Sequence, residues 1–287
     1  MSNIADKLQD LVTAKADIKA AIESKGVTPT GGLSTYADAI RSIENGDIII
    51  EGDFVVVNGM KFGYSELTSF SHLDFSKVTN MDSMFRSCTN LIESPIITSS
   101  PTDCDYVFSG CTNLKKVNQF DTSKCGSLSW MFNECHNLTE IPTIIIGTVY
   151  SNNDGCIMPG TFYNCRSLTT IEFEYINGVK DTQLSETFYG CSNLTTLGLI
   201  KVKNFSDYKS FYGCSNLTNF AGIEGLDYNL DLSWSPLLTV ESLENIINNM
   251  DYARTSSTTL KLHPDAAARL TDKLINLATN KGWIISS

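Results

Sequence analysis

Histidine is scarce in this 287-residue chain. Only His72, His136 and His263 occur; His136 falls at a variable position of a repeat and His263 precedes Pro264. There is no Gly-x-Ser-x-Gly elbow, no phosphate loop and no metal-ligand cluster, so enzyme chemistry has no motif to rest on. Lysine and arginine together number 21 against 32 aspartates and glutamates, a net charge of −11 at pH 7. That balance argues against nucleic-acid binding, which needs a basic stripe, and keeps a long surface soluble. No apolar run nears the roughly 20 residues that a membrane span requires. The first 25 residues are charged and amphipathic without an apolar h-region, so no signal peptide is expected. Nine cysteines include no C-x-x-C pair, and Cys135-His136 lacks a second pair at zinc spacing. No metal and no cofactor is expected.

What the chain has instead is one phrase written six times. Met84 to Leu91, Val107 to Leu114, Met131 to Leu138, Thr161 to Leu168, Thr187 to Leu194 and Ser210 to Leu217 share Phe-x-x-Cys-x-x-Leu. Their phenylalanines are Phe85, Phe108, Phe132, Phe162, Phe188 and Phe211, at intervals of 23, 24, 30, 26 and 23. A period in the twenties marks stacked repeats, each burying its apolar side only against its neighbours.

Within a repeat, Met81, Met84, Phe85 and Cys88 fall at i, i+3, i+4 and i+7, the stripe of two helical turns. Cys104/Val107/Phe108/Cys111 and Leu128/Met131/Phe132/Cys135 repeat it, which predicts a short helix per repeat. The Asn at 90, 113, 137, 193 and 216 tolerates the left-handed conformation that closes a helix; Ser167 is the exception. The Leu that follows, with Val117, Ile141, Ile171, Leu197 or Phe220 three further on, begins a short strand, and Ser94 breaks that pattern in the first copy. The six repeat cysteines, with Cys104 on the same stripe, read as small buried hydrophobes in the reduced state. The 30-residue interval carries an insertion near Tyr150 to Cys156, expected as a surface loop.

Phe-x-x-Cys-x-x-Leu at this period, with Leu73 to Met81 ahead of Met84-Phe85 and Phe120 to Lys124 ahead of Trp130-Met-Phe132, resembles the BspA-type leucine-rich repeats of bacterial surface proteins. The resemblance covers residues 65–236. It implies a leucine-rich-repeat solenoid used for adhesion or recognition and names no ligand. Residues Leu8 to Val27, followed by Tyr36 to Ile43, resemble the opening of tail and fibre proteins in bacteriophages of gut bacteria. That second resemblance implies a docking segment ahead of a variable distal part.

The expected fold is an α/β repeat with four parts. Residues 1–46 form a helical anchor, with Ile4, Leu8, Leu11, Ile18 and Ile22 on one face, for oligomerisation or docking on a virion protein. Residues 47–64 form a β-hairpin cap around Asn58-Gly59, residues 65–236 the solenoid, and residues 237–287 an α/β cap. In that last part Val240 to Met250 reads as a helix, Thr259 to Leu262 as a strand, Pro264 to Asn280 as one helix and Trp283 to Ile285 as a strand.

One constellation points to a site. The residue after each repeat Phe is Arg86, Ser109, Asn133, Tyr163, Tyr189 and Tyr212, so three tyrosines should stack. They either shield the core edge or form a strip that meets a host protein or glycan. Three functions compete. The leading one is a bacteriophage virion structural protein, a tail- or capsid-attached fibre located in the virion. It would be a homo-oligomer, with fibre analogy favouring a trimer. A bacterial surface adhesin or interaction module is the alternative. A carbohydrate-active enzyme would need two facing acids on the repeat surface.

Overall fold

The computed structural model describes strand backbone at 48–51, 54–57 and 60–63, then residues 75–76, 78–147, 156–175, 184–202 and 209–287. The anchor residues Ile4, Leu8, Leu11, Ile18 and Ile22 lie outside the described residues, as do most of the insertion and His72. The first element is an antiparallel sheet of β1 (Ile48–Glu51), β2 (Phe54–Val57) and β3 (Met60–Gly63). Val57 pairs with Met60 across Asn58-Gly59, as the hairpin signal requires. The cover this sheet was expected to give the first repeat lies outside the described residues.

From residue 78 the chain lays one repeat against the next through short parallel pairings. One ladder runs through bridges Glu93–Lys116–Glu140, then through β5 (Thr170–Ile171), β7 (Thr196–Leu197) and β9 (Asn219–Phe220). A second joins Ile97 to Phe120, β4 (Ile144–Ile146) to β6 (Phe173–Tyr175), and β8 (Ile200–Lys201) to β10 (Ile223–Glu224). Strands have a side-chain period of two, so Ile171, Leu197 and Phe220 turn inward while Thr170 and Asn219 face water. Inside, the six repeat phenylalanines form one column, with successive ring centroids 5.3, 5.7, 5.5, 5.9 and 5.4 Å apart. Each is buried, which contributes roughly 1.5–3 kcal/mol per ring as an upper estimate.

The segment expected to be helical is not a helix. Met84 N–H donates to Met81 O and Cys88 N–H to Phe85 O, so two four-residue turns follow one another. Their third residues, Ser83 and Ser87, have φ of 57° and 59°, as a type II turn demands. The N–H groups of Ser83, Phe85 and Ser87 donate to Asp105 O, Val107 O and Ser109 O of the next repeat. Two such turns also put apolar residues at i, i+3, i+4 and i+7, which is why the spacing reads as a helix. A helix would satisfy those N–H groups internally and leave none to join the stack. The same construction recurs with Gly110, Glu134, Asn164, Gly190 and Gly213 at the left-handed position before each Cys.

The repeat asparagines are corrected too. None of Asn90, Asn113, Asn137, Asn193 or Asn216 is among the residues with positive φ. They cross-link repeats: Asn113, Asn137 and Asn216 donate to Thr89 O, Thr112 O and Ser192 O at 2.8, 2.9 and 2.8 Å. Leu232, Ser235 and Leu238, all fully buried, fall 21 residues after Phe211, Cys214 and Leu217 and make a degenerate seventh turn.

Beyond it, α1 (Val240–Asn249) starts at Thr239, whose hydroxyl accepts from Ser242 N–H, and packs on β9 and β10. Strand β11 (Leu230–Leu232) pairs in parallel with β12 (Thr259–Leu262), and β12 with β13 (Ile284–Ser286). The expected helix from Pro264 to Asn280 is two: α2 (Pro264–Ala267) and α3 (Asp272–Asn280). Thr271 caps the second by accepting from Leu274 N–H, so the chain turns and starts again there.

Candidate functional site

The turn segments place the residue after each Phe one above the other on successive repeats, with Ser109 buried and Tyr163, Tyr189 and Tyr212 reaching the surface. Tyr163 and Tyr189 stack with centroids 4.6 Å apart at 4°, and Tyr189 and Tyr212 at 4.8 Å and 8°. The three tyrosines are thus brought together as the repeat register requires. Two tryptophans extend the row. Trp130 tilts onto Tyr163 at 5.6 Å, and Trp234 onto Tyr212 at 4.3 Å. The row holds five rings: Trp130, Tyr163, Tyr189, Tyr212 and Trp234.

Sequence reasoning missed both tryptophans, and each has a signal. Trp130 holds a left-handed position where the next repeat has Gly160, and a Cβ on Gly160 would fall 2.4 Å from the indole. Gly160 therefore makes the room that lets the indole lie there. Trp234 sits inside the degenerate seventh turn, 22 residues after Tyr212.

The geometry restricts what the row can bind. Each middle ring has a neighbour on both faces, so sugar stacking on an open tyrosine face is blocked. Exposure rises towards one end of the row, where Tyr212 is 37% and Trp234 45% accessible. Carboxylates flank the row. Tyr163 has its pKa raised, first by desolvation, then by Tyr189 and by the charges of Glu186 and Glu134. Glu134 in turn accepts from Asn164 Nδ2 at 2.9 Å and meets His136 Nε2 at 2.5 Å. The partner of His136 is thus a glutamate, and among the described residues no group of three or more His, Cys, Asp or Glu is placed to hold a metal ion.

The cysteines do more than fill space. Cys111, Cys135, Cys165, Cys191 and Cys214 each donate their thiol to the Phe carbonyl of the preceding repeat, at 2.9 to 3.2 Å. Burial pushes the Cys191 thiol up to about 12, and raises Cys135 and Cys165 as well, so these thiols stay protonated donors. Thr161 and Thr187, in place of an apolar residue, donate to Leu128 O and Met158 O in the same manner, both at 2.8 Å. The expectation of reduced thiols throughout is corrected at one pair. Neighbouring turns bring Cys104 and Cys125 to a Cα separation of 5.9 Å, and they are joined as a disulfide. The other seven cysteines, including the whole repeat column, are buried and in no disulfide.

No helix among the described residues is long and apolar enough to cross a membrane. A comparison with curated proteins finds no match to the chain. Residues 57–154 match the family described as Mycoplasma protein of unknown function, DUF285. Residues 131–231 match the BspA type leucine rich repeat region.

Proposed function

We propose that the protein is a non-catalytic recognition protein whose stacked repeats, forming a solenoid, present the row Trp130–Tyr163–Tyr189–Tyr212–Trp234 to a protein partner. The five-ring row carries this reading. Rigid aromatic side chains lose little entropy on binding, and tyrosine and tryptophan dominate interface hot spots. The two family matches, over 57–154 and 131–231, favour a surface or protein-interaction role. Because the tyrosine faces are covered, the partner meets edges and hydroxyls, which favours a protein over a glycan.

The test is a photo-crosslinking benzophenone amino acid placed at Tyr212, with Ile275, exposed elsewhere, as control. A discrete cross-linked partner at 212, absent at 275 and lost when Tyr163 and Tyr189 become Ser, is the expected result. Equal cross-linking at both positions, or no loss in the double variant, would sink the reading.

The finer assignment, a virion fibre protein docked through residues 1–46 as a homo-oligomer, rests on the resemblance of residues 1–45 to phage tail proteins. The family matches begin at residue 57 and carry nothing on it. Deleting residues 1–45 should reduce the oligomeric mass in light scattering; an unchanged mass excludes the anchor.

A further inference from the structure

A second surface lies on the strands, away in sequence from the aromatic residues. The position after each inward strand residue is Asn118, Pro142, Glu172, Gly198 and Ala221 in successive repeats. Side-chain bulk disappears at Gly198 and Ala221, and a groove of about 290 Å³ opens over them. One wall is Glu172, whose carboxylate lies across Gly198: a Cβ there would fall 2.6 Å from Glu172 Oε2. The opposite wall is the start of α1, with Glu241, Ser242 and Asn245, and the floor carries Thr196 and Asn219.

The lining contains two carboxylates from opposite walls and no lysine or arginine. Ser242 is spent within the fold, accepting from Phe220 N–H and donating to Thr218 O. The side chains of Glu172, Thr196, Asn219, Glu241 and Asn245 have no hydrogen-bond or ion-pair partner among the described residues. Five unengaged acceptor-bearing groups around one concavity, two of them anionic, are complementary to a cation that carries several N–H donors. The volume falls at the lower edge of small-molecule sites, about 300–1,000 Å³, and suits one inserted side chain.

We propose that this groove receives an arginine side chain of a protein partner, its guanidinium held between Glu172 and Glu241 with Asn219 and Asn245 completing the hydrogen bonds. Arginine's planar fork matches paired carboxylate and amide acceptors better than an ammonium does. The proposal does not depend on the aromatic row.

The test uses the full chain, ¹⁵N-labelled, titrated with acetyl-Gly-Gly-Arg-Gly-Gly-amide and with its citrulline counterpart, the uncharged isostere. The arginine peptide should shift the Gly198 amide and the Asn219 and Asn245 side-chain amides; the citrulline peptide should not. Glu172→Gln and Glu241→Gln should each weaken binding about two- to fivefold, the scale of an exposed ion pair. Gly198→Ala, which displaces the Glu172 carboxylate without straining the backbone, should weaken binding at least as much as Glu172→Gln, at an unchanged melting temperature. Equal shifts from citrulline, shifts confined to Trp130 and Trp234, or no shift at all overturn the proposal. Tighter binding of spermine, or of a neutral chitin oligosaccharide, at the same residues overturns the assignment to a protein side chain.

Discussion

Replacing Cys191 by Ala and by Ser separates two accounts of the cysteine column. Cys191 is fully buried, and its thiol donates to Phe162 O at 3.0 Å. Phe162 O also accepts from Cys165 N–H at 3.0 Å, so losing the thiol does not orphan the carbonyl. Ala therefore costs one weak hydrogen bond, about 0.5–1 kcal/mol, plus the packing of one sulfur, about 1 kcal/mol. The sum is about 1–2 kcal/mol. Ser keeps a donor aimed at the same carbonyl and loses only part of the volume, so it should cost less than Ala. If the column were merely apolar filling, the order would reverse, because an unpaired buried hydroxyl costs about 1–3 kcal/mol. Urea midpoints at constant m-value, taken in reductant, give the order directly. A Ser variant less stable than the Ala variant would refute the hydrogen-bonding account.

Three further outcomes follow from named contacts. The Cys104–Cys125 bridge closes a separation of 21 residues, worth about 3 kcal/mol in the chain-entropy account, so reductant should lower the melting temperature; an unchanged value in a protein whose mass shows the bond reduced would argue against it. The Cys191 thiol is raised from about 9 to about 12 in the fold, so the unfolded chain loses this proton first. This group leaves stability unchanged below pH 9 and lowers it as pH rises from 9 towards 12, by up to about 1.4 kcal/mol per pH unit, and Cys191→Ala should make alkaline unfolding correspondingly less steep. Lys281 Nζ donates to Ile247 O, Asn248 O and Met250 O at 3.0, 2.9 and 2.6 Å, supplying the cation that the last turn of α1 lacks. Lys281→Met keeps the aliphatic stem and should cost about 1–3 kcal/mol in thermal melts; no change would show those bonds to be incidental.

The column of Phe85 to Phe211 was legible because translation by one repeat turns sequence spacing into spatial stacking. The same logic gave the Tyr163–Tyr189–Tyr212 row. Spacing alone misreported the backbone, since paired type II turns and a helix share the i, i+3, i+4, i+7 stripe. The discriminating residue was present: Gly110, Gly190 and Gly213 before Cys disfavour a helix and suit φ of 77°, 72° and 79°. Likewise Thr161 and Thr187 read as gaps in an apolar pattern, yet each donates a bond that the apolar residues cannot.

The groove at Gly198 was not legible, for a reason inherent in repeat architecture. No residue lining it belongs to the Phe-x-x-Cys-x-x-Leu phrase, and of the lining only Leu197 and Phe220 hold regular positions of the repeat. A departure becomes a site only when its neighbours in the stack and the element packed beside them are known. Glu172 and Glu241 are far apart in sequence, and they flank one concavity because Gly198 and Ala221 leave it open and α1 closes its far side. The repeated residues thus set the stack, and the unrepeated ones decide what it can hold. Variation at the Gly198 column should therefore change what the groove binds while leaving the phenylalanine and cysteine columns, and the stability they carry, intact.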